Sequence, residues 1–240
     1  MEFIELKADK SPAKGKFHKR YSSFEDLENA GLMLNDKIVL IDFDNDNVNE
    51  NNIIDYFKEH YPTLTIKTTK GVHFYYSKPE NIDIGCGVDV ITNGGFQIDY
   101  KNGDEVYGVV KLNGIARETS QPISFEHLPE LPILFYPLKK QKDNLSGMCE
   151  GDGRNDSIFK HLCHIRRTYP NLEINEIAKM INDIVFAEPL DDNELESVID
   201  SVYKYYNPEE YLRRTNKYNC VCTKDYSKVR HKIIQYTIIF

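Results

Sequence analysis

The chain has 240 residues, of which 40% are hydrophobic, and this is enough apolar material for one large domain or two modest ones. Its formal net charge of −8 argues against a general nucleic-acid coat protein, because such proteins are basic. No apolar run approaches the ~20 residues that span a bilayer, and the first ten residues, MEFIELKADK, lack the apolar core of a secretory signal. We therefore expect a cytoplasmic protein without a membrane segment, in a bacterial cell or an infected host cell.

The cysteines do not predict a disulfide framework or a zinc site. They are Cys86, Cys149, Cys163, Cys220 and Cys222, an odd and scattered set without a C-x-x-C pair. Cys220 and Cys222 are too close together for the usual zinc spacing, and no second pair completes a tetrahedral site. A reducing compartment fits this cysteine usage.

The first half of the chain has the pattern of a mixed α and β domain. A short apolar run rich in β-branched residues at 37–44, KIVLIDFD, predicts a buried strand. Residues 51–61 carry a helical apolar pattern that ends at Pro62. Turn signals separate further short apolar runs, which predicts more strands. These runs lie at 63–67, 72–77, 88–91, 96–100 and 105–110, and the first two are expected to form a hairpin around the turn at 69–71.

The second half is predicted to be helical. Helices are expected at 156–168, 173–186 and 191–205, and the last two carry clear apolar stripes. The segment before them is polar and contains glycine, which indicates a linker. The predicted division is a first domain at 1–138, a linker at 139–152, a helical domain at 153–207, and a basic tail or the start of a further element at 208–240.

The most informative motif is Asp42-Phe43-Asp44, at the end of the first predicted strand. Because side chains alternate along a strand, Asp42 and Asp44 face the same way. Two neighbouring carboxylates repel each other unless a cation lies between them, and hard divalent ions such as Mg²⁺ take oxygen ligands. Two such ions would suit in-line attack of a 3′-hydroxyl on an α-phosphate. A solvated strand end is the alternative interpretation of this motif alone.

Further polar positions follow on the next predicted strands. Lys70 lies in the turn before His73, and these side chains, with the backbone amides of the turn, could hold the phosphates of a nucleotide. Asp89, in GVDV, faces the side on which a third carboxylate would complete a metal site, and Asp99, in QIDY, competes for this role. The alternatives are a half-buried histidine bonded within the sheet and two surface acids near turns.

In this order, the three segments resemble the archaeo-eukaryotic primase superfamily, in its phage and plasmid primase–polymerase branch. That family carries an hhhDhD strand, a small-x-His strand after a turn, and an h-D strand, where h is an apolar residue. This sequence has VLIDFD, TTKGVHFYY and GVDV, and GVDV is followed by NGGF. The upstream SPAKGK resembles the lysine-bearing N-terminal segment of the branch. The resemblance covers roughly residues 5 to 135.

A second resemblance concerns the helical half. The segment GRNDSIF, which begins at Gly153, and the helices after it resemble the primase C-terminal helical domain. That domain often follows the catalytic domain in mobile-element replication proteins, which implies template binding or primer initiation. Basic side chains of its first helix would then contact nucleic acid, with a solvated helix face as the alternative. The candidates are Arg154, Lys160, Arg166 and Arg167.

Together the resemblances imply an α+β fold, with an RRM-like mixed-sheet catalytic domain followed by a small all-α helical bundle. They imply a nucleotidyltransferase, a DNA-directed primase/polymerase. By position, Asp42, Asp44 and Asp89 would hold Mg²⁺ or Mn²⁺. His73 would contact the phosphates of the incoming nucleotide. Further candidate phosphate or template contacts are Lys14, Lys16 and Lys70.

The implied partners are a single-stranded DNA template and a dNTP or NTP. The chain contains no G-x-x-x-x-G-K-[ST] loop, so it is expected to be either a stand-alone primase or one whose helicase was removed or is a separate partner protein. The expected setting is phage or mobile-element replication.

Two other classes of function stay open. A rolling-circle replication initiator would need two histidines flanking one apolar residue, and the comparable site here, Val72-His73-Phe74, has one. A non-catalytic nucleic-acid-binding or replication-initiation module could retain the primase fold, although the presence of all three acids argues against decay of the site. Dependence on metal and nucleoside triphosphates would separate the enzyme from such a module.

Overall fold

The computed structural model describes residues 1–15, 17–44, 48–80, 82–138 and 143–205, with only the backbone of Val48. These residues form an α+β fold, which confirms the predicted class. Lys16 and the predicted tail at 208–240 lie outside the described residues. Within the described ranges, no helix is both long and apolar enough to cross a membrane.

Strands and helices are numbered in chain order. The strands are β1 (Phe3–Glu5), β2 (Ala30–Met33), β3 (Ile38–Asp44), β4 (Leu64–Lys67), β5 (Gly71–Ser77), β6 (Gly87–Ile91), β7 (Gln97–Lys101), β8 (Tyr107–Leu112) and β9 (Ile115–Ala116). The helices are α1 (Val48–His60), α2 (Arg154–Thr168), α3 (Asn175–Met180) and α4 (Asp192–Tyr205). A 3₁₀ turn spans Ile133–Phe135, and a π-helical turn spans Ile181–Val185.

The strands form two antiparallel sheets. The smaller sheet has the order β1-β2-β8-β9, and the larger has the order β4-β5-β3-β7-β6. The predicted strand at 37–44 is β3, the centre of the larger sheet, and the predicted hairpin is formed by β4 and β5. The smaller sheet was not predicted as a unit, because β1 and β2 are only three and four residues long.

The larger sheet is covered on both faces. On one face, Ile41, Phe43 and Phe74 join an apolar core that continues into α1 and the C-terminal helices. On the other face, Leu40 and Tyr75 pack against the smaller sheet. Burial of both faces explains why β3 is a continuous apolar run rather than an alternating one. The end of β3 leaves this core and enters a polar cleft between the two sheets.

The helical part packs directly on the larger sheet. His161 of α2 is buried, and its Nε2 atom is 3.0 Å from the backbone oxygen of Asn93, in the turn after β6. The backbone N–H of Leu145 donates to the oxygen of Gly95 in the same turn, at 2.7 Å. One apolar core therefore runs from the sheet into the bundle. The domain boundaries given above stay predictions.

The second predicted helix is interrupted in the structure. The sequence predicts one helix over 173–186, whereas α3 ends at Met180 and a π-helical turn follows it. Asn182 within this turn is buried, and its side chain exchanges two hydrogen bonds with the backbone of Leu190, at 2.7 and 3.1 Å. These bonds join the turn to the segment before α4, a long-range constraint that helical periodicity does not contain.

Candidate active site

Asp42 and Asp44 lie on β3 where the apolar packing between the sheets ends. They share a strand face with the buried Leu40, so the two carboxylates lie in the polar cleft next to the core. In the sheet register, Asp42 is opposite His73 of β5 on one side and opposite Asp99 of β7 on the other. Directly paired residues have Cβ atoms about 4.5–5.5 Å apart, so these three side chains form one row across the sheet.

Two side chains hold the Asp42 carboxylate. Its Oδ1 atom is 3.2 Å from Nε2 of His73, and its Oδ2 atom is 2.6 Å from Nζ of Lys101. Burial raises the pKa of Asp42, but the hydrogen bond from His73 and the charge and hydrogen bond of Lys101 outweigh it. They bring this pKa well below its ordinary value of 3.8. Asp42 is therefore ionised at neutral pH.

His73 is almost completely buried, with 3% of its surface exposed. Burial lowers the pKa of His73 below 6.5 more strongly than the nearby Asp42 raises it, so the imidazole is neutral at pH 7. The neutral ring donates its Nε2–H to Asp42. Its Nδ1 atom is also buried and has no hydrogen-bond partner among the described residues. In this structure His73 orients Asp42, and its contact with nucleotide phosphates stays a prediction.

The two candidates for the third acid lie on neighbouring strands. Asp99 is directly opposite Asp42, and Asp89 lies one strand further out, on the edge strand β6. Asp89 is exposed and occupies a left-handed backbone conformation with φ of 53°, within the register shift between Gly87 and Val90. Its backbone N–H donates to Oδ1 of Asp99 at 2.9 Å. Both acids are thus at one edge of the site, and Asp99 is the nearer neighbour of Asp42 in the sheet.

A cavity of about 610 Å³ is lined by His73, Asp42 and Asp44, whereas neither Asp89 nor Asp99 lines it. Its volume is within the ordinary range of ligand pockets, about 300–1,000 Å³. Tyr107 of β8 forms part of its wall, so both sheets contribute to it. Basic side chains that line the cavity are the predicted Lys70 and three that were not predicted, Lys10, Lys101 and Arg117. The cavity therefore combines carboxylates with the cationic groups that a triphosphate would require.

Two neighbouring features lie outside this site. The predicted phosphate contact Lys14 is exposed in the loop after β1 and does not line the cavity. A larger cavity of about 880 Å³ lies beside the turn between β4 and β5, against α1. It contains neither Asp42 nor His73, so we place the candidate site in the smaller cavity.

The carboxylates match the ligand type of Mg²⁺ or Mn²⁺ but do not form a closed cage. In the described part of the chain, no three His, Cys, Asp or Glu side chains are arranged to hold a metal ion. Mg²⁺ is usually bound by one or two carboxylates together with waters and substrate phosphates, rather than by an all-protein cage. Asp42 and Asp44 have the chemistry of that kind of open site, and the role of Asp89 or Asp99 as a third ligand stays a prediction.

Lys101 and Arg117 are two of the site residues that sequence reasoning missed. Lys101 follows Asp99 by two positions on β7 and shares its strand face, so the alternation in QIDYK contained a signal for it. Arg117 follows β9 and is half-buried, and this burial lowers the pKa of its guanidinium below the ordinary value. Its Nη1 atom donates to the backbone oxygen of Val109 at 3.1 Å. Its place at the site depends on how the two sheets pack, and no local pattern encodes that.

Two of the four basic residues predicted to bind nucleic acid contact the protein itself. Arg154 donates to the backbone oxygens of Glu188 and Pro189, the segment before α4. Arg166 is buried, and its guanidinium carbon lies 4.7 Å from the ring centroid of Tyr203 on α4. These contacts join α2 to the rest of the bundle.

The other two basic residues face solvent. Lys160 forms an exposed ion pair with Asp156 one turn earlier, at 2.5 Å. Exposed pairs of this kind contribute little to stability, so Lys160 can exchange its partner for a phosphate. Arg167 is exposed near the end of α2. Lys160 and Arg167 are therefore the predicted nucleic-acid contacts that the structure leaves accessible.

Comparison with known proteins bears on the helical part of the chain. Residues 149–207 match the family model described as Primase C terminal 1 (PriCT-1). This match supports a primase-type family. It fits a primase-related role in replication, and it overlaps the helical domain predicted at 153–207. No curated protein and no solved structure matches the chain.

Proposed function

We propose that this chain is a DNA primase/polymerase of the archaeo-eukaryotic primase superfamily, in phage or mobile-element replication. It would make short primers on single-stranded DNA from dNTPs or NTPs. The observation that carries the proposal is that Asp42 and Asp44 of β3 and His73 of β5 line one cavity of about 610 Å³ together with four basic side chains. The match of residues 149–207 to a primase C-terminal domain supports it from a separate part of the chain.

In the proposed reaction, the 3′-hydroxyl of the growing strand gives up its proton to water, and its oxygen attacks the α-phosphorus of the incoming nucleotide. The bond from that phosphorus to the β-phosphate oxygen breaks, and pyrophosphate leaves. Mg²⁺ or Mn²⁺ held by Asp42 and Asp44 would stabilise charge on the entering and leaving oxygens. His73 fixes the Asp42 carboxylate through its Nε2–H. Lys70 and Arg117 offset the negative charge of the triphosphate within the cavity.

Primer synthesis on single-stranded DNA tests this proposal, with labelled dNTPs or NTPs and either Mg²⁺ or Mn²⁺. The double variant Asp42→Asn with Asp44→Asn removes two charges and retains an oxygen acceptor for His73. We expect short products from the wild type and a loss of about 1,000-fold in the variant. Asp26→Asn with Asp36→Asn is the matched control, because it makes the same charge change at exposed positions outside the cavity.

The outcomes separate an enzyme from other functions. Undiminished synthesis by the Asp42/Asp44 variant would contradict the site assignment. A folded wild-type chain that makes no product with any metal or nucleotide would contradict the enzymatic proposal itself.

One observation favours a second candidate, a non-catalytic nucleic-acid-binding or replication-initiation module. Both oxygens of Asp42 are already engaged, by His73 and Lys101, so the site is partly neutralised without any metal. Such a module would bind single-stranded DNA equally well after a chelator is added. Loss of binding or of product with the chelator favours the enzyme.

A further inference from the structure

The Lys101 ammonium group contacts a carboxylate oxygen of Asp42 that a metal ion would need as a ligand. Its Nζ atom is 2.6 Å from Oδ2 of Asp42, while His73 contacts Oδ1. Lys101 ends β7, and its pairing with Leu40 of β3 places it diagonally across from Asp42 on the same sheet face. The ammonium thus supplies one positive charge next to Asp42, in a row that also contains Asp99.

The structure also allows this ammonium to move. The Lys101 side chain is 33% exposed and lines the basic cavity, whereas His73, the other partner of Asp42, is buried. A lysine carries a compact charge on a flexible four-carbon stem, so its ammonium can reach a new anion without any change of backbone. A triphosphate in the cavity, beside Lys70 and Arg117, would be such an anion.

We propose that Lys101 is a tethered counter-ion that competes with divalent metal for Asp42 and is transferred to the triphosphate when a metal–nucleotide complex enters. The proposal rests on the proposed function. It predicts that metal alone binds weakly, because it must displace Lys101 without giving the ammonium another anion. Metal and nucleotide then bind with positive coupling, since the metal frees the ammonium to contact the triphosphate, and the triphosphate gives the displaced ammonium a new anion.

The test measures metal and nucleotide binding by the full chain, without any turnover. Lys101→Met removes the charge and keeps a long unbranched side chain. Free Mn²⁺ is followed by its electron paramagnetic resonance signal during a titration without nucleotide. The affinity for a non-hydrolysable triphosphate analogue is measured separately at saturating Mn²⁺. Lys111→Met is the control, because Lys111 donates to the backbone oxygen of Glu25 and does not line the cavity.

We expect Lys101→Met to bind Mn²⁺ about tenfold more tightly than the wild type without nucleotide, and the triphosphate analogue about tenfold more weakly. Lys111→Met should match the wild type in both measurements. Equal or weaker Mn²⁺ binding by Lys101→Met overturns the role of Lys101. If neither Lys101→Met nor the wild type binds Mn²⁺, the proposed function fails together with this inference. If the expected shifts occur in a chain that makes no primers, Lys101 keeps its role and only the proposed synthesis fails.

Discussion

The cleft between the sheets and the helical bundle use their basic side chains differently. In the cleft, Lys70, Lys101 and Arg117 line a cavity that also contains carboxylates. In the bundle, Arg154 binds backbone oxygens and Arg166 packs over an aromatic ring of the protein itself. A basic residue at a position where a family resemblance predicts nucleic-acid contact does not by itself establish such contact. The guanidinium of an arginine at that position can instead stabilise the packing of the helices.

The two regions also differ in what supports their assignment. The family model matches residues 149–207, whereas the acids that carry the proposed chemistry lie in the first 100 residues, which that model does not cover. The helical part is supported by sequence likeness, and the cleft is supported by its geometry. Variants in each region show whether these two kinds of support describe one working protein.

The largest expected effect on stability is at Gly71, the first residue of β5. It is opposite Asp44 in the register, and a Cβ atom added there would lie 1.9 Å from the backbone oxygen of Phe43. Gly71→Ala should therefore lower the free energy of unfolding by about 3 kcal/mol, because β3 and β5 must move apart. Chemical denaturation measures the change.

Gly85→Ala is the control for this prediction. A Cβ atom at Gly85 meets nothing within 4 Å, so the free energy of unfolding of the Gly85→Ala variant should differ little from that of the wild type. Equal free energies of unfolding for the two variants would contradict the close contact between β3 and β5 at Gly71.

The next effect concerns the contact between the bundle and the sheet. Burial lowers the pKa of His161 to about 4, against an ordinary value of 6.5, although the bond to the Asn93 oxygen raises it. The unfolded chain therefore binds a proton more readily than the folded one, and stability falls as the pH falls through this window. As the pH falls from 7 to 5, His161 should lower the free energy of unfolding by about 2 kcal/mol.

The variant His161→Gln isolates this contribution. It keeps a donor for the Asn93 oxygen and removes the titrating group, so the loss of stability between pH 7 and pH 5 should shrink by about 2 kcal/mol. Thermal unfolding at several pH values measures this. His73, whose pKa burial also lowers, should supply the pH dependence that remains. An unchanged pH dependence in the variant would contradict the buried, neutral state of His161.

The smallest effect compares two adjacent arginines on α2. Arg166→Ala should lower the free energy of unfolding by about 1 kcal/mol, because it removes the contact with Tyr203. Arg167→Ala should leave stability within about 0.5 kcal/mol, because this side chain is exposed.

Binding of single-stranded DNA should show the reverse order. Arg167→Ala is expected to weaken binding, and Arg166→Ala is expected to leave the binding of the folded chain unchanged. A titration at low salt, where phosphate contacts are strongest, measures both variants. Weaker binding by Arg166→Ala alone would assign nucleic-acid contact to the buried residue and contradict the division made here.

Local sequence patterns predicted the parts of the fold that depend on neighbouring residues. The apolar run before Asp42 and the turn before His73 predicted β3 and the hairpin, and strand alternation put Asp42 and Asp44 on one face. The pairing of Asp42 with His73 and Asp99 needs the strand order of the sheet, which these patterns do not determine. The position of Arg117 and the interruption of the second predicted helix likewise depend on packing between distant segments.

The most direct test of the account is a crystal structure of the full chain with Mn²⁺ and a non-hydrolysable nucleoside triphosphate. We predict an anomalous Mn²⁺ peak about 2 Å from carboxylate oxygens of Asp42 and Asp44. The triphosphate should lie in the cavity between the sheets, and the Lys101 ammonium should contact it instead of Asp42. Mn²⁺ and nucleotide bound elsewhere, with Lys101 still paired to Asp42, would contradict the assignment of this cleft as a nucleotidyltransferase site.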